Sequence, residues 1–250
     1  MPTLLLSPRQ SEDAQRLWRA AISHGWKTER GHGSQLPEID PAEVVPYGEP
    51  WFVHHAAQRY HITLPEPPLD WLPRLPAHLR GRDVRAMTLA EARGLAHRAF
   101  IKPTDQKAFP AAVYDSGASL PSLAPEFSAH PVLVQEVVRW VSEFRCFVRE
   151  GRVQTLSVYL RDGELAQAED GSFPATDDEL REATAFCEIA ASTHAALTPA
   201  AVVIDVGRID GRGWAVVEAN EPHSSGIYGC DATSVLHVLR SGCRHARVAP

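Results

Sequence analysis

The stretch from Ala201 to Asn220 restricts this chain more than any other. Two β-rich runs, Ala201-Val202-Val203-Ile204-Asp205-Val206 and Trp214-Ala215-Val216-Val217-Glu218-Ala219-Asn220, flank Asp210-Gly211-Arg212-Gly213, a turn composition that predicts a hairpin. With the turn centred between Gly211 and Arg212, Asp205 falls opposite Glu218, and Asn220 lies two positions further along the same face. A register slip of two residues keeps the three together, whereas a slip of one separates them. Burying two carboxylates and an amide unpaired among apolar strands is costly, so a hard cation is their natural partner. Mg²⁺ keeps part of its octahedron for water and phosphate, which points onward to a nucleotide. A second reading is equally open on these residues alone: Asp205 ends a strand at the surface, and Glu218 pairs with a lysine on a half-exposed hairpin.

At 250 residues and 44% hydrophobic, the chain can bury a core as one large domain or two small ones. A net charge of −6 argues against a general binder of nucleic acid or anionic membrane, which needs a basic field. Leu4 to Leu6 is too short for a signal peptide, and no apolar run approaches the roughly 18 residues of a membrane span. Cytoplasmic residence, with neither nucleic acid nor membrane as partner, is the resulting expectation. Cys146, Cys187, Cys230 and Cys243 form no C-x-x-C pair and read as reduced, mostly buried thiols.

Thr3 to Leu6 reads as a buried strand. Ser11 then caps a helix whose Ala14, Leu17, Trp18, Ala21 and Ile22 make one apolar stripe, and Gly25 closes it before a strand near Trp26 to Glu29. That is a βαβ opening. Val44 to Tyr47 reads as a further strand and Trp51 to Tyr60 as a helix, with no phosphate-binding glycine motif among them. Pro65, Pro67, Pro68, Pro73 and Pro76 force extended or turning chain and mark a boundary, giving a small α/β domain over 1–80 and a second domain over 81–250.

Beyond the boundary, Thr88 and Glu91 have capping-box spacing. Phe100 to Pro103 and Ala108 to Tyr114 read as strands joined by a polar loop, which places Lys102 at a strand end and Lys107 in the loop. Both suit anionic phosphate, and for Lys107 a solvated surface charge is the competing reading. Val132 to Val138 is an apolar strand interrupted by Gln135 and Glu136; such a strand end can read an adenine edge through its backbone, with the Glu136 side chain accepting from the exocyclic amine. Glu143 and Arg145 share one face of the next strand, and a returning strand ends in Arg161. That face is either an ion-pair ladder or the wall of an anion site. Thr176 and Glu179 open a scaffold helix. After the organising hairpin, His223, Ser224 and Ser225 lie in a small polar loop, candidates for positioning a substrate or simply a structural turn.

In this order, Phe-Ile-Lys-Pro around Lys102, the Val-Gln-Glu-Val hinge, Glu-Phe-Arg, Asp205 and then Glu-Ala-Asn, the chain resembles the ATP-grasp superfamily over roughly residues 86 to 240. The resemblance is to the compact branch recognised by two arginines and a lysine. It implies an α+β ATP-grasp fold, two α+β subdomains clamping a nucleotide, preceded by a small α/β N-terminal domain. By that resemblance Lys102 touches phosphate, Gln135, Glu136, Val137 and Val138 hold adenine, and Glu143 binds ribose or its surroundings. Arg145 and Arg161 stabilise the transferred phosphate, and Asp205, Glu218 and Asn220 hold the metal. The loop after Lys102 departs from the pattern in lacking glycines. The implied activity is an ATP- and Mg²⁺-dependent ligase that joins a small-molecule or peptide carboxylate to an amine through an acylphosphate. The alternatives are a phosphotransferase that stops at the phosphorylated product, and a non-catalytic nucleotide sensor.

Overall fold

Leu4, Leu5 and Leu6 have no exposed surface, the pattern of a strand covered on both faces. The computed structural model, which describes residues 1–33, 35–104 and 108–245, shows why. The first unit consists of β1 (Thr3–Leu6), α1 (Glu12–Ser23), β2 (Lys27–Arg30), β3 (Val44–Tyr47), α2 (Pro50–Arg59) and β4 (Ile62–Thr63). β1 runs parallel to both β2 and β3 at the centre of a three-stranded sheet, the expected βαβ opening. The Ser11 hydroxyl caps α1 by accepting the Ala14 N–H at 3.1 Å, and Glu12 and Asp13 meet the positive end of the helix dipole.

The proline-rich stretch forms two one-turn helices, α3 (Trp71–Arg74) and α4 (Ala77–Arg80). Trp71, Leu72, Leu75 and Leu79 insert into the principal core, so this segment is packed structure as well as connection. An antiparallel sheet follows, built from β5 (Val84–Thr88), β6 (Ala99–Pro103), β7 (Ala112–Tyr114) and β8 (Pro131–Gln135) in the order β5-β8-β6-β7, with α5 (Leu89–Arg93) against it. The remaining elements are β9 (Trp140–Arg149), β10 (Arg152–Arg161), β11 (Glu164–Leu165), α6 (Asp177–Thr193), β12 (Ala201–Ile209), β13 (Gly213–Asn220), α7 (Ala232–Gly242) and β14 (Arg244–His245). Their five-stranded antiparallel sheet has the order β11-β10-β9-β12-β13. Both expected capping boxes, Thr88 with Glu91 and Thr176 with Glu179, are formed.

Alternation along β9 and β12 sorts the large sheet into two faces. Phe144, Cys146, Val202 and Ile204 pack with Ala183, Cys187 and Ala190 of α6. Phe147 and Val203 turn the other way, into a core shared with α7 and with Leu4, Leu17 and Ala21 of the first unit. β14 also pairs with β4, so the two ends of the chain are joined by a ladder as well as by apolar contact.

Two bulges decide which side chains meet. In the β12–β13 hairpin the turn is centred on Gly211, half a step from the expected centre: Ile209 pairs with Gly213, and the Arg212 N–H donates to the Ile209 carbonyl at 3.0 Å. Gly211 and Gly213 take φ of +70° and +89°, conformations that favour glycine. One extra residue, Val217, between the Asp205 and Val206 pairs then restores the register, and Asp205 does face Glu218. In the β9–β10 hairpin the same device has the opposite effect. The shift between Val158 and Leu160 turns Arg161 to the α6 face, where it pairs with Ser142 and donates to Glu179 at 2.8 and 3.0 Å. The expected sharing of one face by Arg161, Glu143 and Arg145 is therefore not found. The extra residue, Tyr159, takes that place and donates its hydroxyl to Glu143 at 2.9 Å.

β12 is sandwiched between β9 and β13, and a Cβ at Gly207 would lie 2.6 Å from the Ser142 carbonyl oxygen and 2.9 Å from the Trp140 ring. Gly207→Ala is expected to cost about 1–3 kcal/mol in urea denaturation, because backbone and a buried indole must both shift.

Candidate active site

The four-stranded and five-stranded sheets wall a cavity of about 280 Å³. Into it come Lys102 from β6, Gln135 to Val138 from the end of β8, Glu143 from β9 and Glu218 from β13. These are residues named from sequence for nucleotide and metal, brought together from four separate segments. Lys107, also named, lies outside the described residues. Phe100, Val113, Val137, Val138 and Trp140 give the cavity apolar and aromatic walls, the composition that suits a flat heterocycle.

Within the hinge, the side chains have other partners than expected. The Gln135 carbonyl oxygen accepts two bonds from Arg82, at 2.9 and 2.7 Å, and Arg82 also donates to the Val216 carbonyl at 2.7 Å and to that of Val217 at 3.0 Å. Glu136 does not present its carboxylate to a base edge. It takes two bonds from Arg212 at the hairpin tip, at 3.0 and 2.6 Å, and accepts the Asp83 N–H at 3.2 Å. The hinge is thereby left to read a base through its backbone. No local pattern marks Arg82, which stands in a Gly-Arg-Asp turn; only the fold buries it over Trp140, 4.9 Å from the ring centroid. Burial pulls its pKa down to about 10, with Glu143 opposing, so it stays charged at neutral pH.

Asp205 is fully buried, and Arg145 on the adjacent strand meets both of its oxygens, Nε to Oδ1 at 3.0 Å and Nη2 to Oδ2 at 2.7 Å. Burial pushes the Asp205 carboxyl up while Arg145 holds it down, with a net rise. Burial likewise disfavours the Arg145 charge, yet Asp205 outweighs it and the guanidinium is held protonated. The Tyr159 and Tyr228 rings lie 5.2 and 5.1 Å from that guanidinium. Tyr228 adopts φ +45°, a strained conformation for a bulky residue. Its carbonyl is gripped by Arg16 of α1, which also donates to Cys230 at 2.6 Å. Neither tyrosine stands out in the sequence: Tyr159 needs the bulge, and Tyr228 needs its backbone conformation.

Glu218 accepts from the Lys102 ammonium on one oxygen and from the Asn220 amide on the other, the latter at 2.8 Å. Both sequence readings of the hairpin thus hold at once, since Glu218 shares a patch with Asp205 and Asn220 and also pairs with a lysine. Burial raises the Glu218 carboxyl, but Lys102 and Asn220 overcome this and leave it below its ordinary value. Among the described residues no group of three or more His, Cys, Asp and Glu is placed to hold a metal, so the candidate set is two carboxylates and an amide. Its chemistry fits Mg²⁺: all donors are hard oxygens, the Asn220 carbonyl is spare, and each Asp205 oxygen retains a second lone pair.

The loop after β13 does not present the side chains expected to position substrate. His223 is buried; its Nδ1 lies 3.1 Å from Glu221 and its Nε2 3.0 Å from the Leu239 carbonyl oxygen, so both ring nitrogens donate. Ser225 donates to the Glu221 carbonyl at 2.7 Å, and Ser224 lies within the same tight turn, Pro222–Ser224. These residues build the turn. What reaches Arg145 from this loop is the Gly226 carbonyl, which accepts at 3.3 Å, together with the Tyr228 ring.

Residues 79–238, the span that carries this geometry, match the ATP-grasp domain, family 2 of its clade. The chain belongs to the ATP-grasp family. Among solved structures, D-cycloserine synthetase DcsG is similar at TM-score 0.57 and 17% identity, over 95% of this chain and 98% of that one. The RimK domain protein ATP-grasp from Sphaerobacter thermophilus is similar at TM-score 0.55 and 15% identity, over 97% of each chain. ATP-grasp ligase PsnB, complexed with minimal precursor, Mg and ADP, is similar at TM-score 0.52 and 13% identity, over 96% and 97%. At these identities the likeness is one of fold. No curated protein matches by sequence.

Two residues of this region act as structure, and each has a measurable signature. Burial opposes charge on His223, but bonds with Cys243 and Glu221 win and raise its pKa from 6.5 to about 10. Its stabilisation is complete below about pH 6.5 and fades as the pH climbs towards 10, so wild-type stability in urea is expected to fall over that window and that of His223→Gln to fall less. Arg161→Gln is expected to lose less than about 1 kcal/mol, its ion pair being partly exposed, and to bind ATP as wild type does in calorimetric titration.

Proposed function

We propose that this ATP-grasp protein is an ATP- and Mg²⁺-dependent ligase that joins a carboxylate to an amine. The observation that carries the reading is the cavity on which Lys102, the 135–138 hinge, Glu143 and Glu218 converge, with the buried Arg145–Asp205 pair beside it. The backbone at Glu136 to Val138 holds the adenine edge, Glu143 faces the ribose, and Lys102 meets the phosphates. Asp205, Glu218 and Asn220 hold Mg²⁺, which when bound neutralises phosphate charge and makes the γ-phosphoryl group electrophilic. Arg145, fixed in plane by Asp205 and two rings, faces the charge that develops on the transferred group.

The donor carboxylate oxygen takes the γ-phosphoryl group and ADP leaves. The amine nitrogen then bonds to the acyl carbon, the bond from that carbon to the phosphate oxygen breaks, and phosphate departs while the amine gives up a proton. No enzyme nucleophile is required: Cys146 and Cys187 are buried in the α6 core. The acid and amine have their place where the first unit grips the loop after β13, through the Tyr47 hydroxyl on the Ser225 carbonyl at 3.0 Å and Asp13 accepting the Ile227 N–H at 3.0 Å. A synthetase of a small amino-acid-like product and a ligase with a peptide precursor are both similar in fold, which supports this reaction class and leaves both substrate sizes in view.

The test is ADP release from MgATP with pooled carboxylates and amines, with mass spectrometry of the products. An amide is the expected product; a phosphorylated acid alone would favour the phosphotransferase reading. Glu218→Ala is expected to lower turnover roughly a hundredfold or more while circular dichroism stays unchanged. Turnover undiminished in Glu218→Ala, or no ADP from any pair, would defeat the proposal.

A further inference from the structure

The two cation–carboxylate pairs of the site are built differently. Arg145 and Asp205 join neighbouring strands of one sheet by a two-bond fork, with side-chain exposures of 11% and 0% and two rings against the guanidinium. Lys102 and Glu218 join different sheets, β6 to β13, across the mouth of the cavity, and their exposures are 21% and 28%. The second pair is one ammonium on one oxygen, carried on a flexible four-carbon stem and partly hydrated. The first pair is permanent and the second exchangeable: separating the first strands a buried charge, whereas each partner of the second has water or an incoming ion to turn to.

Resting on the metal assignment made above, we propose that Lys102 is a stand-in cation at Glu218, holding down the affinity for a bare divalent ion and releasing the carboxylate only when a nucleotide phosphate takes the ammonium. A dication arriving alone is pressed against a resident ammonium. A triphosphate arriving alone takes up the ammonium and leaves the Glu218 carboxylate facing its own negative charge. Arriving together, phosphate satisfies Lys102 and metal satisfies Glu218, so each ligand favours the other beyond any direct bond between them. Because the pair spans both sheets, the same exchange replaces a protein–protein strap across the cleft with one made through the nucleotide.

The probe is Mn²⁺ alone, titrated into the full chain without nucleotide and followed by the paramagnetic resonance signal of the free ion. Lys102→Met is expected to bind Mn²⁺ about tenfold or more tightly than wild type, as removal of an adjacent like charge requires. Lys102→Gln supplies the same comparison should methionine disturb the strand. Lys102→Arg keeps the cation and is expected to stay near wild type. Unchanged or weaker Mn²⁺ binding in both neutral variants overturns the proposal, as does Lys102→Arg behaving like Lys102→Met. Glu218→Gln, titrated with Mn²⁺ in the presence of ADP, separates the two layers. Loss of binding there upholds the metal assignment whatever Lys102 does, and unchanged binding removes that assignment and this proposal together.

Discussion

A carboxylate with no exposed surface in the middle of a five-stranded sheet survives because a guanidinium on the next strand meets both of its oxygens. Much of the site is arranged to keep the Arg145–Asp205 contact intact. The guanidinium needs its own partners, which are the Gly226 carbonyl and the rings of Tyr159 and Tyr228. Tyr159 comes within reach through a bulge in β10, and Tyr228 through an unfavourable backbone angle that Arg16 holds in place. A buried ion pair adds little net stability, since desolvation consumes most of the attraction. Its value here is placement: it fixes a charged plane at the inner end of a cavity.

Two neighbouring interactions depend on that placement. Glu218 sits opposite Asp205 in the same ribbon, so one hairpin register sets both carboxylates. Arg82 gathers the Gln135 side chain and the carbonyls of Val216 and Val217, tying the end of β8 to the strand that carries Glu218. The base-reading and metal-holding ends of the cavity are thus connected through one buried arginine. Arg212 repeats the connection at the surface by holding Glu136.

The parts of this arrangement legible in the sequence are those set by local periodicity and turn chemistry. Ser11, Thr88, Thr176 and Asp231 announce four helices, and the Asp-Gly-Arg-Gly turn announces the hairpin, because capping and left-handed turns act over three or four residues. The pairing of Asp205 with Glu218 comes out right for a partly accidental reason: the true turn centre is displaced by half a step and the Val217 bulge makes up the difference. In β10 no second error cancels the first, so a simple alternation puts Arg161 on the wrong face. A bulge is invisible to a period-two reading, and a single one reverses every side chain beyond it. The hinge is visible as an apolar strand end, but the partners of Gln135 and Glu136 come from 53 and 76 residues away, a distance at which sequence pattern says nothing. His223 and Ser225 look like chemistry because polar loop residues often are; their partners, a buried glutamate and main-chain carbonyls, exist only in the folded chain.

The core shared by α1, β1, α7 and the inner face of the large sheet has an implication for how such a protein can diversify. In an assembly whose substrate-facing part is a separable module, a new specificity can be acquired by exchanging that module whole. Here Leu4, Leu17 and Ala21 are as much the lining of Phe147, Val203 and Leu236 as of their own strand and helix, so a transplanted first unit would arrive with the wrong surface. Novelty in what is recognised must then accumulate by residue-level drift in exposed loops, under the constraint that the apolar joint beneath them stays unaltered.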